Sequence, residues 1–176
     1  MLFQSPTVIS QNEKPVIVLS QLKIEYQVSF DVLLSNIGDA EHQSLLLMTT
    51  SDENYKGHGG SILALIQHSE SPGLTFRYQT SKTEDIGVYK HPAISIRKWI
   101  NIMVVQYFDG SSFIHLIRVG GKEVKRSNHS QCEDFYGVKI YIGAPWEKPA
   151  KGYLRNLHIS GMTRKSFIFK IFLMHL

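Results

Sequence analysis

The residues able to carry chemistry in this 176-residue chain are eight histidines, one cysteine and fifteen acidic side chains, and their spacing decides what they can do. Retaining glycoside hydrolysis needs two carboxylates about 5–5.5 Å apart, which on a strand means acidic residues two or four positions along one face. No acidic pair meets that spacing in an apolar-alternating segment. Glu133 and Asp134 are adjacent and would point to opposite faces, while Glu84 and Asp85 sit in a polar stretch. A serine nucleophile would need a Gly-x-Ser-x-Gly elbow, and the chain has none. His58, between Gly57 and Gly59-Gly60, reads as a flexible loop residue rather than part of an oxyanion loop. Histidines 42, 58, 68, 91, 115, 129, 158 and 175 lack the i, i+2 or i, i+4 spacing of a zinc site and read as surface or interstrand residues. Cys132 lies between Gln131 and Glu133 with no adjacent base to depress its thiol, so it reads as inert. These patterns predict neither an enzyme nor a bound metal or cofactor.

Binding chemistry has better candidates. Trp146, Tyr141 and Tyr153 surround the segment 144–152, and exposed rings near a sandwich rim can stack on sugars. Core packing of Trp146, between the chain-turning Pro145 and Pro149, is the competing reading. The polar stretch Asp52, Glu53, Asn54, Tyr55 is an equally good binding rim. Asn128-His129-Ser130 is a glycosylation sequon between two expected strands, which makes Asn128 the acceptor if the chain is exported. The candidate ligand-binding residues are therefore Trp146, Tyr153, Asp52, Asn54 and Tyr55.

Charge narrows the partners. There are nine basic and eleven acidic residues before Gly120, against ten and four after it, so the net +4 is carried by the C-terminal third. The cations are scattered and no nucleic-acid motif accompanies them, which reads first as a solvated basic face and excludes nucleic acid. An acidic polysaccharide or phospholipid surface stays open as a partner. Met1 to Gln11 has neither a positive n-region nor the apolar run of a secretory signal. The longest apolar-rich segment, 166–176, has 11 residues and is too short for a transmembrane helix of about 20. The chain is expected to be either cytoplasmic or a domain of a larger exported protein.

Strands must position these side chains. From Tyr26, apolar residues alternate through Val28, Phe30, Val32 and Leu34, the period of a half-buried strand. The alternation returns at Leu74, Phe76, Tyr78 and at Tyr136, Val138, Ile140, Ile142. Leu45 to Met48, Ile62 to Ile66 and Trp99 to Phe108 are nearly continuous apolar runs, as for strands covered on both faces. Asp109-Gly110 and Gly120-Gly121 supply turn residues, so 99–108, 112–119 and 122–127 are expected to form a meander. About ten strands and no helical stripe predict an all-β, antiparallel two-sheet jelly-roll sandwich.

Four segments resemble the laminin-G-like jelly roll of the concanavalin A-like lectin/glucanase superfamily: EYQVSFDVLLS at 25–35, WINIMVVQYFDGSSFIHLIRVGGKEV at 99–124, VKIYIGAPWEKPAKG at 138–152 and YLRNLHIS at 153–160. The resemblance implies one domain over residues 1–162, on a scaffold that hosts adhesion modules, lectins and glycosidases alike. It implies an extracellular interaction or adhesion module binding a protein or matrix partner, with a carbohydrate-binding lectin as the alternative. Many members carry a disulfide near the C-terminus, for which the lone Cys132 has no internal partner, and no calcium ligand set is carried over. The hydrophobic tail, 163–176, lies beyond the resemblance. Phe167, Phe169, Ile171 and Leu173 are apolar on one side of an extended chain and Ile168, Phe172 and Met174 on the other. Such a tail is expected to be the cut end of a longer chain, to dock on the sandwich, or to mediate self-association or membrane contact.

Overall fold

The alternation and the apolar runs resolve into two sheets in the computed structural model, which describes residues 5–37, 42–50, 61–68, 71–81 and 87–161. In chain order the strands are β1 (Thr7–Val8), β2 (Ile17–Leu22), β3 (Tyr26–Leu34), β4 (His42–Thr49), β5 (Ser61–His68) and β6 (Leu74–Tyr78). There follow β7 (Gly87–His91), β8 (Ile100–Phe108), β9 (Phe113–Val119), β10 (Lys122–His129), β11 (Phe135–Ile142) and β12 (Gly152–Gly161). The first sheet runs β1-β12-β3-β8-β9-β10 and the second β2-β11-β4-β5-β6-β7, with every strand pair antiparallel. The described residues contain no helix, and the architecture is the all-β sandwich expected from the sequence.

Twelve strands form where about ten are expected. The additions β1, β2 and β7 are all sheet edges, where one face meets water and the apolar signal thins. Val18 on β2 and Val88 on β7 are exposed, so neither strand reads as a core element by composition.

One apolar layer between the sheets closes the sandwich. From the first sheet it takes Val28, Phe30 and Val32 of β3, Ile102 and Val104 of β8, Ile117 of β9 and Leu154 and Leu157 of β12. From the second it takes Met48, Leu65, Phe76, Val138 and Ile140. The continuous runs have both faces covered, because smaller clusters lie on the outward sides. One joins Leu47, Ala64, Tyr141 and Ala144 on the second sheet; the other joins Val105, Tyr107, Ile114 and Leu116 on the first.

The expected meander is present as β8-β9-β10, with differences in its turns. Gly120 and Gly121, at φ 59° and 80°, make the two-residue turn. The earlier loop takes four residues, Asp109 to Ser112, and is held by Asp109 rather than by a tight dipeptide. Its Oδ1 accepts the backbone N–H groups of Ser111 (2.8 Å) and Ser112 (2.9 Å), which draws the Asp109 carboxyl below its usual range.

Val104 lies fully buried between Val28 and Ile117 of the neighbouring strands. Val104→Asp places a carboxylate there with no partner, and we expect a loss of several kcal/mol, comparable to the whole stability of an ordinary domain. Thermal unfolding followed by circular dichroism checks this; a cooperative transition at the parental temperature would show the strand to be peripheral.

Candidate functional site

Successive rows of residues can be read across the outer face of the first sheet from its pairings. One row is Val8, Tyr153 and Leu33; the next is Arg155, Asp31 and Asn101. Trp99 precedes the Ile100 that pairs with Val32, which puts it one step further along the same face as Leu33. Two aromatic residues, Tyr153 and Trp99, thus share the Leu33 row, next to the charged and polar row and on one side of it.

Asp31 organises that row. Its Oδ1 accepts from Asn101 Nδ2 at 2.9 Å, and its Oδ2 from Asn156 Nδ2 at 2.7 Å and Arg155 Nε at 3.3 Å. Partial burial alone would raise the Asp31 carboxyl, but the three donors outweigh it and hold it below the usual carboxylate range. The Arg155 guanidinium also lies over the Trp99 ring, 4.0 Å from its centroid. Asn156 reaches Asp31 because β12 bulges between Arg155 and His158, with Asn156 in the left-handed region at φ 54°. Gly152 allows β12 to approach closely: a Cβ there would stand 2.3 Å from the Leu33 carbonyl oxygen.

The residues singled out by the sequence fall in different places. Tyr153 is 41% exposed and stands beside the Asp31 row. Trp146 is half-buried over the outer face of the opposite sheet, packed with Tyr141 at 6.4 Å between ring centroids and with Leu47, Ala64 and Ala144. The two rings therefore do not line one surface. Asp52, Asn54 and Tyr55 lie outside the described residues. Asn128 is exposed, and it sits within β10, an edge strand, rather than in the loop that follows. Of the adjacent acids, Asp134 accepts the Ile24 N–H and the Gln21 amide, both at 2.6 Å, and so ties down the β2–β3 turn.

A second cluster joins histidines that the sequence keeps apart. His115 is fully buried between the sheets, stacked on Tyr78 at 3.9 Å, and His129 meets both rings edge-on at 6.4 Å. Ser127 Oγ shares hydrogen bonds with Tyr78 OH and His129 Nε2, each at 3.2 Å. Neither nitrogen of His115 has a hydrogen-bond partner among the described residues. Burial, reinforced by His129 and Lys125, pushes the His115 imidazole down to about 3. Among the described residues no group of three His, Cys, Asp or Glu side chains could hold a metal ion.

No protein-family model matches the chain, and no curated protein matches it. Among solved structures it is similar to the native heptameric SAP-like pentraxin of Limulus polyphemus, at 13% identity and a TM-score of 0.56, covering 92% of this chain and 76% of that one. It is similar to the receptor-binding domain of botulinum neurotoxin type G, at 10% identity and TM-score 0.56, covering 96% of this chain and 47% of that one. It is also similar to the Trypanosoma rangeli sialidase, at 13% identity and TM-score 0.56, covering 86% of this chain and 23% of that one. At such identities the likeness carries the fold alone, an antiparallel β-sandwich, and a fold of this kind does not by itself fix a function.

The buried His115 imidazole gives a pH dependence with a definite sign. Below about pH 6.5 the unfolded chain takes up a proton that the folded chain refuses until about pH 3, so this contribution to stability is intact above 6.5 and is lost on acidification through that window. Between pH 7 and 4.5 the loss is roughly 2–3 kcal/mol. Urea unfolding of the parent and of His115→Phe at both pH values measures it. The variant is expected to lose less; equal losses would show that this imidazole is not held neutral.

Proposed function

We propose that this chain is a non-catalytic interaction module, of laminin-G-like type, that engages a protein or matrix partner through the outer face of the first sheet at Tyr153, Trp99 and the Asp31 row. The observation that carries the reading is an exposed tyrosine ring beside an ionised carboxylate, with amide and guanidinium groups already fixed around it. Such a surface offers an apolar platform and oriented donors with little side-chain entropy left to lose on binding. Asp31 is poorly suited to general acid chemistry, because three donors stabilise its charged form instead of raising its proton affinity. The resemblance in the sequence and the receptor-binding domain among the structural neighbours support a binding role.

A lectin is the second reading, favoured by the same rings and planar polar groups, since sugars stack on aromatic faces and hydrogen-bond to carboxylates and amides. Surface plasmon resonance against immobilised basement-membrane proteins and a glycan array, both with the full chain, separates the two. We expect saturable binding to one set, weakened at least tenfold by Tyr153→Ala at an unchanged melting temperature. Depolymerisation of a polysaccharide on the array would overturn the non-catalytic reading, and binding indifferent to Tyr153 would move the site elsewhere.

The module belongs, on this proposal, to a larger exported chain. Asn128 is then glycosylated: expression through a secretory pathway should give a slower-migrating species that peptide N-glycosidase removes and Asn128→Gln abolishes. A secreted parent with no such species would refute the modification.

A further inference from the structure

The edges of the two sheets are not equally defended. Because Tyr78 of β6 stacks on His115 of β9, the sheets lie in the same order, with β7 and β10 closing one side of the sandwich and β1 and β2 the other. An open edge presents unpaired N–H and C=O groups, and natural sheets blunt it with charge, proline, bulges or brevity. β10 carries Lys122, Glu123, Lys125 and Arg126, with a bulge between Glu123 and Lys125. β7 carries Lys90 and runs directly into Pro92. β1 has two residues, and β12 beyond it is bent by the bulge between Arg155 and His158.

β2 has none of these devices. Its six residues, IVLSQL, include no charge, proline or glycine, and they pair with β11 without a register shift. Among the described strands only β11 lies beside β2, so about half of its backbone groups face away from the sheet. Ile17 and Leu19 pack on the layer between the sheets, while Val18 and Ser20 are exposed, Val18 at 61%. Exposed apolar side chains gather on this side of the molecule. Among the described residues, Val8 on β1, Val18 on β2, Tyr136 on β11 and Tyr153 on β12 are four of the six large apolar residues open to water.

We propose that β2 is the edge on which a second copy of this chain adds, strand to strand and antiparallel, about a two-fold axis through Leu19. The edge itself favours an identical strand as its partner. A two-fold axis normal to the sheet keeps inward faces inward, so the residues that meet across it must already share a facing. About Leu19, that axis sets Leu19 against its own copy and Ile17 against Gln21 on the inner side. On the outer side it sets Val18 against Ser20. None of these pairs opposes like charges or strands a charge. The same operation on β10, with three cations and one anion in each strand, would collect net positive charge along the seam. Pairing satisfies the outward backbone groups of both copies at once. A seam of six-residue strands is short, so the association is weak and concentration-dependent.

Sedimentation equilibrium of the full chain from about 1 μM to about 1 mM tests the proposal. The mass should rise toward that of two copies and stop there. Val18→Lys combined with Ser20→Lys sets lysine against lysine at both outer pairs and should weaken the dimer at least tenfold. Val18→Glu combined with Ser20→Glu should do the same, and an equal mixture of the two variants should associate at least as well as the parent. Both positions are exposed, so the melting temperatures of dilute variants should match the parent's. A parent that stays monomeric, assembly beyond two copies, variants that dimerise like the parent, or a mixture that fails to restore association each overturns the proposal. An arm without substitutions follows amide hydrogen exchange in the parent. Exchange in β2 should slow as concentration rises while β7 and β10 are unaffected; β2 amides indifferent to concentration would contradict the pairing.

Discussion

Each strand of this protein surrenders one face to the dry layer between the sheets, and everything else follows from that commitment. With a side-chain period of two, the residues that fill the layer fix which residues point outward, and a slip by one position would reverse both sets. Val28, Phe30 and Val32 face inward, so Ser29 and Asp31 face out. Recognition chemistry on such a scaffold is confined to outer faces and rims.

The two outer faces are used differently. On the second sheet, Trp146 packs on the outward cluster of Tyr141, Leu47, Ala64 and Ala144. On the first, the polar row around Asp31 and the apolar patch on β8 and β9 stand side by side on one surface. A guanidinium over Trp99 and three donors on Asp31 fix the polar end. That rigidity follows from the bulge in β12, which places Asn156 where a regular strand would have only paired backbone.

Local pattern made the fold readable, and its interruptions hid the site. The alternation from Tyr26 and the Gly120-Gly121 turn locate the centre of the first sheet without reference to any other segment. Asp31, Asn101, Arg155 and Asn156 are up to 125 positions apart and meet only through strand order, which no local period encodes. One signal was available: Leu154 and Leu157, both fully buried, are three residues apart, a spacing that breaks the strand period and marks the bulge. The histidine cluster is hidden by another bulge. Counting back from the Gly-Gly turn without it would set His115 opposite Arg126, whereas the shift between Glu123 and Lys125 sets it opposite Ser127 and turns His129 inward. The binding-rim candidates Asp52, Asn54 and Tyr55 lie outside the described residues, and Trp146 and Tyr153 are neighbours in sequence but occupy opposite sheets.

The proposed ligand surface is the polar end of the first sheet's outer face. Amide shift mapping of the isotope-labelled full chain, titrated with a library of matrix-derived oligosaccharides and matrix-protein fragments, tests it most directly. Saturable shifts are expected to gather at residues 31, 101, 153, 155 and 156. Saturable shifts gathered instead around Tyr141 and Trp146, with the Asp31 row unmoved, would contradict it.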